Sequence, residues 1–436
     1  MTGIIDQGDT AEGDHKMYGV SGSEHSVSGF EEIFVFKEIE KLVQELVMMS
    51  ISKCKMEDLP KELVISILLR LPAEDLRRCK GVCKSLYSII TSRPFIEVRR
   101  KIRNSYILVK YEDLISSKHV ISLLCDETLE VVYTQTILSD TPLMDSMSSK
   151  DRVVKVVGCC NGVVCLRRID MYVLWNPATR DAKIIPDGLY KSNPDKKMFQ
   201  RREMGFGFDP KNNDYKLVSI QRLFGDNRRP VRPCQQEVEV YSLKAGCWKL
   251  LPGIIPTCDI MSAYSVEGCN GGEMISWLVW NAEYGEHVMS FDISNEVFIT
   301  TPLPPFIIES SSDGNCRNSL MFHNASLALD HYVKDRKNQT ETHNIWVLGE
   351  YGVKESWTNL FTVGPFKLLG PSISGFWNNN KVLLEVDGGG CRHDLILVDP
   401  SIRKIKDLDI HGTSLQVFNY QENLVQINAT PPINLF

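Results

Sequence analysis

The chain has 436 residues and a mass of 49.5 kDa, a length that predicts two or three domains. Apolar residues make up 43% and charged residues 24%, which excludes a chain that is disordered throughout. The net charge is −6, and residues 1–55 alone hold ten acidic and five basic side chains, so the rest of the chain is nearly neutral. A nearly neutral chain is not a general nucleic-acid binder, because such a protein needs a basic face.

Residues 1–55 form a predicted N-terminal extension. Residues 1–29 are rich in Gly, Ser and Asp and predict disorder, whereas apolar residues recur at helical spacing over residues 30–49 and predict a helix. No apolar run is long enough to span a bilayer, and no secretory signal is recognisable at the start. The 13 cysteines are scattered without a CxxC pair, which predicts reduced thiols in a cytoplasmic or nuclear protein.

Residues 56–103 form a predicted helical domain. Leu63, Ile67 and Leu71 recur at i, i+4 and i+8 on one helix face, and Pro72 ends that helix because the residue before a proline avoids the α region. A short helix follows with Leu76, and another is predicted over residues 79–91. This domain carries eleven basic and six acidic residues.

Residues 104–436 form a predicted all-β domain. Short runs such as 105–109 (SYILV) and 382–386 (VLLEV) are rich in β-branched and aromatic residues, and Gly, Asn, Asp and Pro clusters separate them. No helical pattern of useful length interrupts these runs. The combination predicts a closed β architecture.

An internal repeat indicates which closed architecture this is. Each copy has a strand, a turn with Asp, Asn or Ser, and a second strand that often ends in Leu-Pro or Ile-Pro, as in 173–186 (VLWNPATRDAKIIP). The copies are anchored at Cys125, Trp175, Tyr241, Phe291, Val347 and Val398. A period near 50 residues is typical of a kelch-like β-propeller, and six copies predict about six blades. We expect residues 415–427 to close the ring near Tyr106.

The helical domain resembles an F-box. The segments LPKELVISILLRLP (59–72) and DLRRCKGVCKSLYSII (75–90) agree with the family pattern in the apolar positions, in both Leu-Pro pairs and in the basic positions. The chain departs from the pattern at one position, where the family has a tryptophan and this chain has Leu86, followed by Tyr87. Leu86 fills an apolar position with less buried area, which predicts a somewhat less stable domain.

The β domain resembles the F-box-associated domain of plant F-box proteins, a group that includes S-locus proteins and regulators of immune receptors. The matching segments include GCCNGVVCL (158–166), LWNPATR (174–180), GFGFDPKNNDYKLVSI (205–220) and NYQENLVQI (419–427). With the F-box, the resemblance covers about residues 56–430. It implies a kelch-like propeller behind a small helical domain.

The resemblance implies a substrate-recognition subunit of an SCF-type ubiquitin ligase, whose F-box binds a Skp-type adaptor and through it cullin and RING subunits. A helical domain of about fifty residues cannot bury all of its leucines alone, so a partner covers the rest. The implied adaptor-binding residues are Leu59, Pro60, Leu63, Ile67, Leu71, Pro72, Leu76, Val82 and Cys83. The alternative for each, and for Ile67 and Val82 in particular, is a place in the domain's own core.

The implied role needs no catalytic residue, because the receptor only holds a target lysine near charged ubiquitin. The sequence has no G-x-S-x-G, HExxH, P-loop or GxGxxG motif. The histidines are scattered without the spacing of metal ligands, and Gly388, Gly389 and Gly390 fit a hairpin turn. We therefore expect no cofactor and no metal.

The longest repeat predicts where a target protein binds. Residues 187–235 hold eleven basic and six acidic side chains, and insertions in repeat proteins collect on the binding face. The hypothesis is that this edge binds an acidic target surface, and the alternative is that these are ordinary solvated loops. The proposed contacts are Arg201, Arg202, Arg228, Arg229 and Arg232.

Two other functional classes remain open at this stage. One is a propeller that binds a carbohydrate or another ligand, or acts as an enzyme, behind a vestigial F-box. The other is an adaptor-bound scaffold that does not trigger degradation. The family motifs do not choose between S-locus recognition, control of immune receptors and another role, so the target's identity stays open.

Overall fold

The computed structural model describes residues 59–71, 73–102, 105–137, 154–168, 171–186, 188, 199–224, 236–252, 259–260, 273–281, 285–310, 315–367, 370–378, 381–402 and 404–427. The predicted extension 1–55 with its helix at 30–49 therefore lies outside the described residues. The chain divides into two compact units, Met1–Leu71 and Pro72–Phe436. No helix among the described residues is long and apolar enough to cross a membrane.

The described part of the first unit is dominated by helix α1, Lys61–Arg70. Pro60 is its N-cap residue, and no side chain caps the helix there. The helix ends at Leu71, which has the extended backbone (ψ 145°) expected of a residue before proline. Val64 and Leu68 are buried one turn apart, so α1 has one buried stripe and leaves the adjacent Leu63 exposed.

The second unit begins with helices α2 (Ala73–Lys80), α3 (Lys84–Thr91) and α4 (Arg93–Ile102). Cys83 caps α3, because its Sγ accepts a hydrogen bond from the backbone N–H of Leu86 at 3.5 Å. Leu76, Leu86 and Phe95 are buried. Leu86 thus fills an apolar position where the F-box pattern has tryptophan, as predicted, while Tyr87 stays exposed.

Among the described residues all further regular structure is β, apart from the short helix α5 (Pro305–Ser310) and a 3₁₀ turn at Lys354–Ser356. The strands are β1 Ser105–Glu112, β2 His119–Cys125, β3 Val131–Ile137, β4 Val154–Cys160, β5 Val163–Arg168, β6 Met171–Asn176, β7 Asp181–Ile185, β8 Phe199–Asp209, β9 Asp214–Phe224, β10 Gln236–Ser242, β11 Cys247–Leu251, β12 Asp259–Ile260, β13 Met274–Asn281, β14 Gly285–Asp292, β15 Val297–Pro302, β16 Cys316–His323, β17 Ser326–Asp335, β18 Thr340–Leu348, β19 Trp357–Phe366, β20 Ser372–Trp377, β21 Lys381–Gly389, β22 Arg392–Asp399 and β23 Lys404–Gln421.

The strands form five sheets, which correspond to six blades. Four sheets have four strands each: β4–β7 (blade 2), β8–β11 (blade 3), β12–β15 (blade 4) and β16–β19 (blade 5). The fifth has seven strands with β23 in the middle. The first half of β23, up to Gly412, pairs with β22 and completes blade 6 with β20–β22. The second half, from Thr413, pairs with β1 and completes blade 1 with β1–β3.

The predicted ring closure is confirmed. Tyr106 on β1 lies opposite Tyr420 on β23, in a register that runs from Ser105–Gln421 to Glu112–Thr413. The six repeat anchors all fall on the third strand of their blades, namely β2, β6, β10, β14, β18 and β22. The repeat in the sequence therefore corresponds to the blade, and the prediction of a small helical domain followed by a propeller of about six blades is confirmed.

The core lies between the blades. In the part of the chain that the structure describes, six apolar clusters each join two consecutive blades, and one of them joins blade 6 back to blade 1 through Leu383, Leu395 and Ile107. The outer strands add a recurring polar contact. The indole N–H of Trp248 in blade 3 donates to the carbonyl of Pro186 in blade 2 at 2.7 Å, and Trp357 in blade 5 donates to Pro302 in blade 4 at 3.0 Å. The strand-ending prolines of the repeat thus link neighbouring blades.

Candidate protein-interaction surfaces

The predicted adaptor-binding residues fall into three groups. Pro60, Leu63 and Val82 are exposed, with exposed fractions of 48% for Leu63 and 40% for Val82. Leu59, Ile67 and Cys83 are half-buried. Leu71 and Leu76 are buried and offer no side-chain surface in the free chain, and Pro72 lies outside the described residues.

Leu63 is exposed because of its place on α1. The buried stripe of this helix passes through Val64 and Leu68, and Leu63 lies about 100° away from Val64 at 3.6 residues per turn. Val82 is exposed in the turn between α2 and α3, where the Gly81 and Val82 amides donate to the carbonyls of Arg78 and Cys79. Exposed aliphatic side chains held on such short elements are suited to a protein partner.

The propeller has two faces, which we define by strand direction. The helix-side face holds the turns between the first and second strands of each blade, such as Asn161–Gly162 and residues 210–213. The far face is the opposite end of the blades, where the first strands begin. Helix α4 leads into β1 at the helix-side face, because Ser105 starts β1 opposite Gln421 at the end of β23.

Residues 421–427 lie on the helix-side face and tie it to α4. Arg99 of α4 is almost fully buried and its guanidinium lies 3.1 Å from the Glu422 carboxylate. The side-chain amide of Asn176 donates to the carbonyls of Asn423 and Val425 at 2.9 and 2.8 Å. Gly162 has φ +78°, and a Cβ there would lie 2.4 Å from the Asn423 Cβ, so the turn requires glycine. These contacts hold the end of α4 against the propeller.

A charged network joins blades 3 and 4 on the same face. The Lys216 ammonium lies 2.8 Å from the Asp209 carboxylate and 3.0 Å from that of Glu296. Asp209 is buried and also accepts hydrogen bonds from Asn212 and from the Ser294 hydroxyl. Burial alone would raise the pKa of Asp209, but Lys216 and the neutral donors hold it well below its usual range. Lys216 is therefore a structural cation rather than a free surface charge.

The far face carries the predicted target-binding segments. The first residue of β8, Phe199, lies opposite the last residue of β9, Phe224, so residues 187–198 and 225–235 both join the propeller at this face. The backbone of Arg201 and Arg202 lies at the start of β8, opposite Arg222 and Gln221. Arg228, Arg229 and Arg232 lie outside the described residues, so a basic edge at this face stays a prediction.

Sequence reasoning missed an aromatic pair on the far face. Trp280 is the last residue but one of β13, in the run WLVWN, and is 45% exposed, and Phe306 on α5 is 63% exposed. A tryptophan near a strand end was the available signal, but tryptophan also fills the core of this propeller, as the buried Trp175 and Trp277 show.

Sequence reasoning also missed a three-residue acidic and histidine group. Asp407, Asp409 and His411 alternate on β23, and their ligand atoms lie within 4.8 Å of one another. Asp407 and Asp409 are exposed, and the Nδ1 of His411 lies 2.8 Å from Asp394. Among the described residues this is the one group of three or more such side chains with that spacing, and exposed acidic groups without an ion are common.

Comparison with protein families assigns both domains. Residues 114–427 match the family model of the F-box associated beta propeller domain, and residues 56–97 match the F-box domain. The two families are the ones that the resemblance predicted, in the same order along the chain.

Comparison with individual proteins gives relatives of similar length. The chain is 25% identical to F-box protein CPR1 of Arabidopsis thaliana over 359 residues, which cover 76% of this chain and 80% of that protein. It is 25% identical over 400 residues to a second Arabidopsis thaliana F-box protein, covering 82% and 88%. Among solved structures, the chain is similar to a fucose-specific lectin from Aleuria aurantia, with a TM-score of 0.33 and 8% identity. The similarity covers 72% of this chain and 96% of the lectin chain.

Proposed function

The chain belongs to the F-box proteins that carry an F-box-associated β-propeller domain, and from this we propose that it is a substrate-recognition subunit of an SCF-type ubiquitin ligase. The observation that carries the proposal is the F-box at residues 56–97 joined to a propeller on one chain. In this proposal the F-box binds a Skp-type adaptor, which links it to cullin and RING subunits, and the propeller binds a target protein for ubiquitination and degradation.

The adaptor contact is supported by exposed aliphatic side chains on the helical segment. Leu63 is half exposed although it sits one residue from the buried stripe of α1. Val82 is similarly exposed in the turn between α2 and α3. Burying the exposed part of one such side chain stabilises a complex by about 1 kcal/mol, roughly half of the value for a fully exposed one. Leu71 and Leu76 are buried, and their proposed part in adaptor binding is to support the exposed residues rather than to touch the adaptor.

The target contact is supported by the two faces of the propeller. Helix α4 joins the helix-side face, where Arg99 and Glu422 pair, while the segments around β8 and β9 join the far face. Insertions in repeat proteins collect on the binding face, so we assign the target to the far face. The role is non-catalytic and positional, and we place the protein in the cytoplasm or nucleus.

The affinity of the full chain for a purified Skp-type adaptor tests this function. Leu63→Glu places a charge on the proposed contact, and we expect the affinity to fall at least about 30-fold, the effect of losing an interface anchor worth about 2 kcal/mol. Leu360→Glu is the matched control, since Leu360 is 40% exposed on the outer strand of blade 5. Failure of the wild-type chain to bind the adaptor, or equal binding by Leu63→Glu, contradicts the proposal.

A further inference from the structure

The far face carries two exposed aromatic side chains at the junction of blades 4 and 5. Phe306 is 63% exposed, but the helix that bears it is anchored, because its neighbours Leu303 and Ile307 are buried in the core cluster between these blades. Trp280 stands at the end of β13 with 45% of its surface exposed. Both rings are thus held at the rim of a packed junction, as anchor residues of protein interfaces are.

A carboxylate is the cross-strand neighbour of Trp280. Glu286 on β14 is directly opposite Trp280 in the register of the sheet, so both side chains are on the same face of blade 4 with adjacent Cβ atoms. The side-chain amide of Asn318 donates to the Glu286 carboxylate. The Asn318 oxygen therefore accepts from Nδ1 of His331 at 2.8 Å, and the His331 ring contacts Phe306 edge-on at 6.4 Å. Glu286 is connected to both aromatic rings through this chain of contacts.

No lysine or arginine among the described residues balances the charge of Glu286. Among the described residues its polar side-chain partner is the neutral Asn318, and no Lys or Arg forms an ion pair with it. Burial raises the pKa of Glu286, which the Asn318 hydrogen bond only partly offsets. Burial likewise lowers the pKa of His331, so the neighbouring imidazole is neutral and supplies no charge. A cation from outside would relieve this cost.

We propose that Trp280, Glu286 and Phe306 form a target-contact site that takes a basic side chain of the target, arginine or lysine, next to an apolar residue. A guanidinium or ammonium gains both a charge-assisted hydrogen bond to the carboxylate and a cation–π contact with the indole, while an apolar neighbour packs on Phe306. This inference rests on the proposed function and specifies its target surface. The site is formed by residues of blades 4 and 5 and uses none of the arginines that the sequence analysis predicted as target contacts.

A peptide selection tests the site without knowledge of the target. A displayed library of random peptides is selected against the immobilised full chain, and peptides eluted from the wild type are compared with those from Glu286→Gln. Glutamine keeps the acceptor for Asn318 and removes the charge. We expect enrichment of Arg or Lys beside an apolar residue, and we expect the enrichment of basic residues to disappear with Glu286→Gln.

A synthetic copy of the enriched peptide then gives dissociation constants. We expect Glu286→Gln and Trp280→Ala each to weaken binding at least about tenfold. Glu130→Gln and Leu360→Ala are matched controls, since both residues are exposed outside the site, and neither is expected to change binding. Enriched peptides without basic residues, or equal affinity for wild type and Glu286→Gln, overturn the inference.

Adaptor binding, measured on the same variants, separates this inference from the proposed function. Glu286→Gln and Trp280→Ala are expected to bind the Skp-type adaptor as the wild type does. Intact adaptor binding without selection of basic peptides overturns the site alone. Selection of basic peptides by a chain that does not bind the adaptor overturns the ligase role alone.

Discussion

Replacing Lys216 by methionine tests the charged network between blades 3 and 4. Lys216 lies 2.8 Å from Asp209 and 3.0 Å from Glu296, and Asp209 is fully buried. Removing one partner of a buried ion pair costs about 3–5 kcal/mol, because the other charge is left uncompensated. Asp209 keeps its hydrogen bonds from Asn212 and Ser294, so we expect the low end, a loss of about 3 kcal/mol in the free energy of unfolding.

Urea unfolding of the full chain measures this loss, and Arg93→Met is the matched control. Arg93 and Glu97 form an ion pair at 2.8 Å, but both side chains are largely exposed, and such a pair one turn apart on a helix contributes about 0.3–0.5 kcal/mol. Lys216→Met should therefore shift the transition several times further than Arg93→Met. Equal, small shifts for the two variants would refute the account of Lys216 as a structural cation.

The difference in unfolding free energy between the wild type and Lys216→Met should depend on pH. The folded protein holds the pKa of Asp209 and of Glu296 below their usual values, so each carboxylate adds stability that is present above about pH 4 and is lost as the pH falls further. Lys216→Met removes the part of that contribution that the Lys216 ammonium supplies. The difference in unfolding free energy between wild type and variant should thus be largest near pH 7 and narrow below about pH 4, and a difference that grows on acidification would contradict the reasoning.

Three further predictions concern the ring and its interior. Trp248→Phe and Trp357→Phe should each lower the free energy of unfolding by about 1 kcal/mol, because each loses one hydrogen bond to a proline carbonyl of the previous blade. The two losses should add, since the bonds lie in different parts of the ring. A calorimetric scan that shows neither variant destabilised would contradict this. Truncation after Gly412 should prevent cooperative folding, since residues from Thr413 supply the first strand of blade 1. A truncated chain that melts like the wild type, as followed by circular dichroism, would contradict the role of these residues in closing the ring. Burial lowers the pKa of Lys110 to about 8, below the unfolded value, so the wild type should gain stability relative to Lys110→Met as the pH rises from 8 towards 10; unfolding curves across that range that stay parallel would contradict the shift.

The local pattern of the sequence predicts the blades well. The repeat anchors and the Leu-Pro and Ile-Pro strand ends correspond to structural features, because each depends on one strand and its adjacent turn. The closing contact between Tyr106 and Tyr420 joins distant parts of the chain, and it was predictable because a ring of repeats has to close on itself. The anchors Trp175 and Phe291 occupy equivalent third strands of blades 2 and 4. Contacts within a short stretch of chain are therefore readable from spacing alone.

The candidate sites are less predictable, because they depend on contacts between blades. Glu286 and Asn318 are 32 residues apart and meet only after blades 4 and 5 pack together, and no spacing rule relates them. The same limit applies to the helical segment, where Leu63 and Leu76 are equal members of one motif in the sequence. In the structure Leu63 is exposed and Leu76 is buried, since the outcome depends on the packing around each helix.

Co-precipitation of a cullin with the full chain from plant cells tests the central claim most directly. The account predicts that the wild-type chain brings down the cullin, that Leu63→Glu does not, and that the control Leu360→Glu does so at the wild-type level. Absence of the cullin from the wild-type precipitate, or its retention by Leu63→Glu, would contradict the assignment of this chain to a cullin-based ubiquitin ligase.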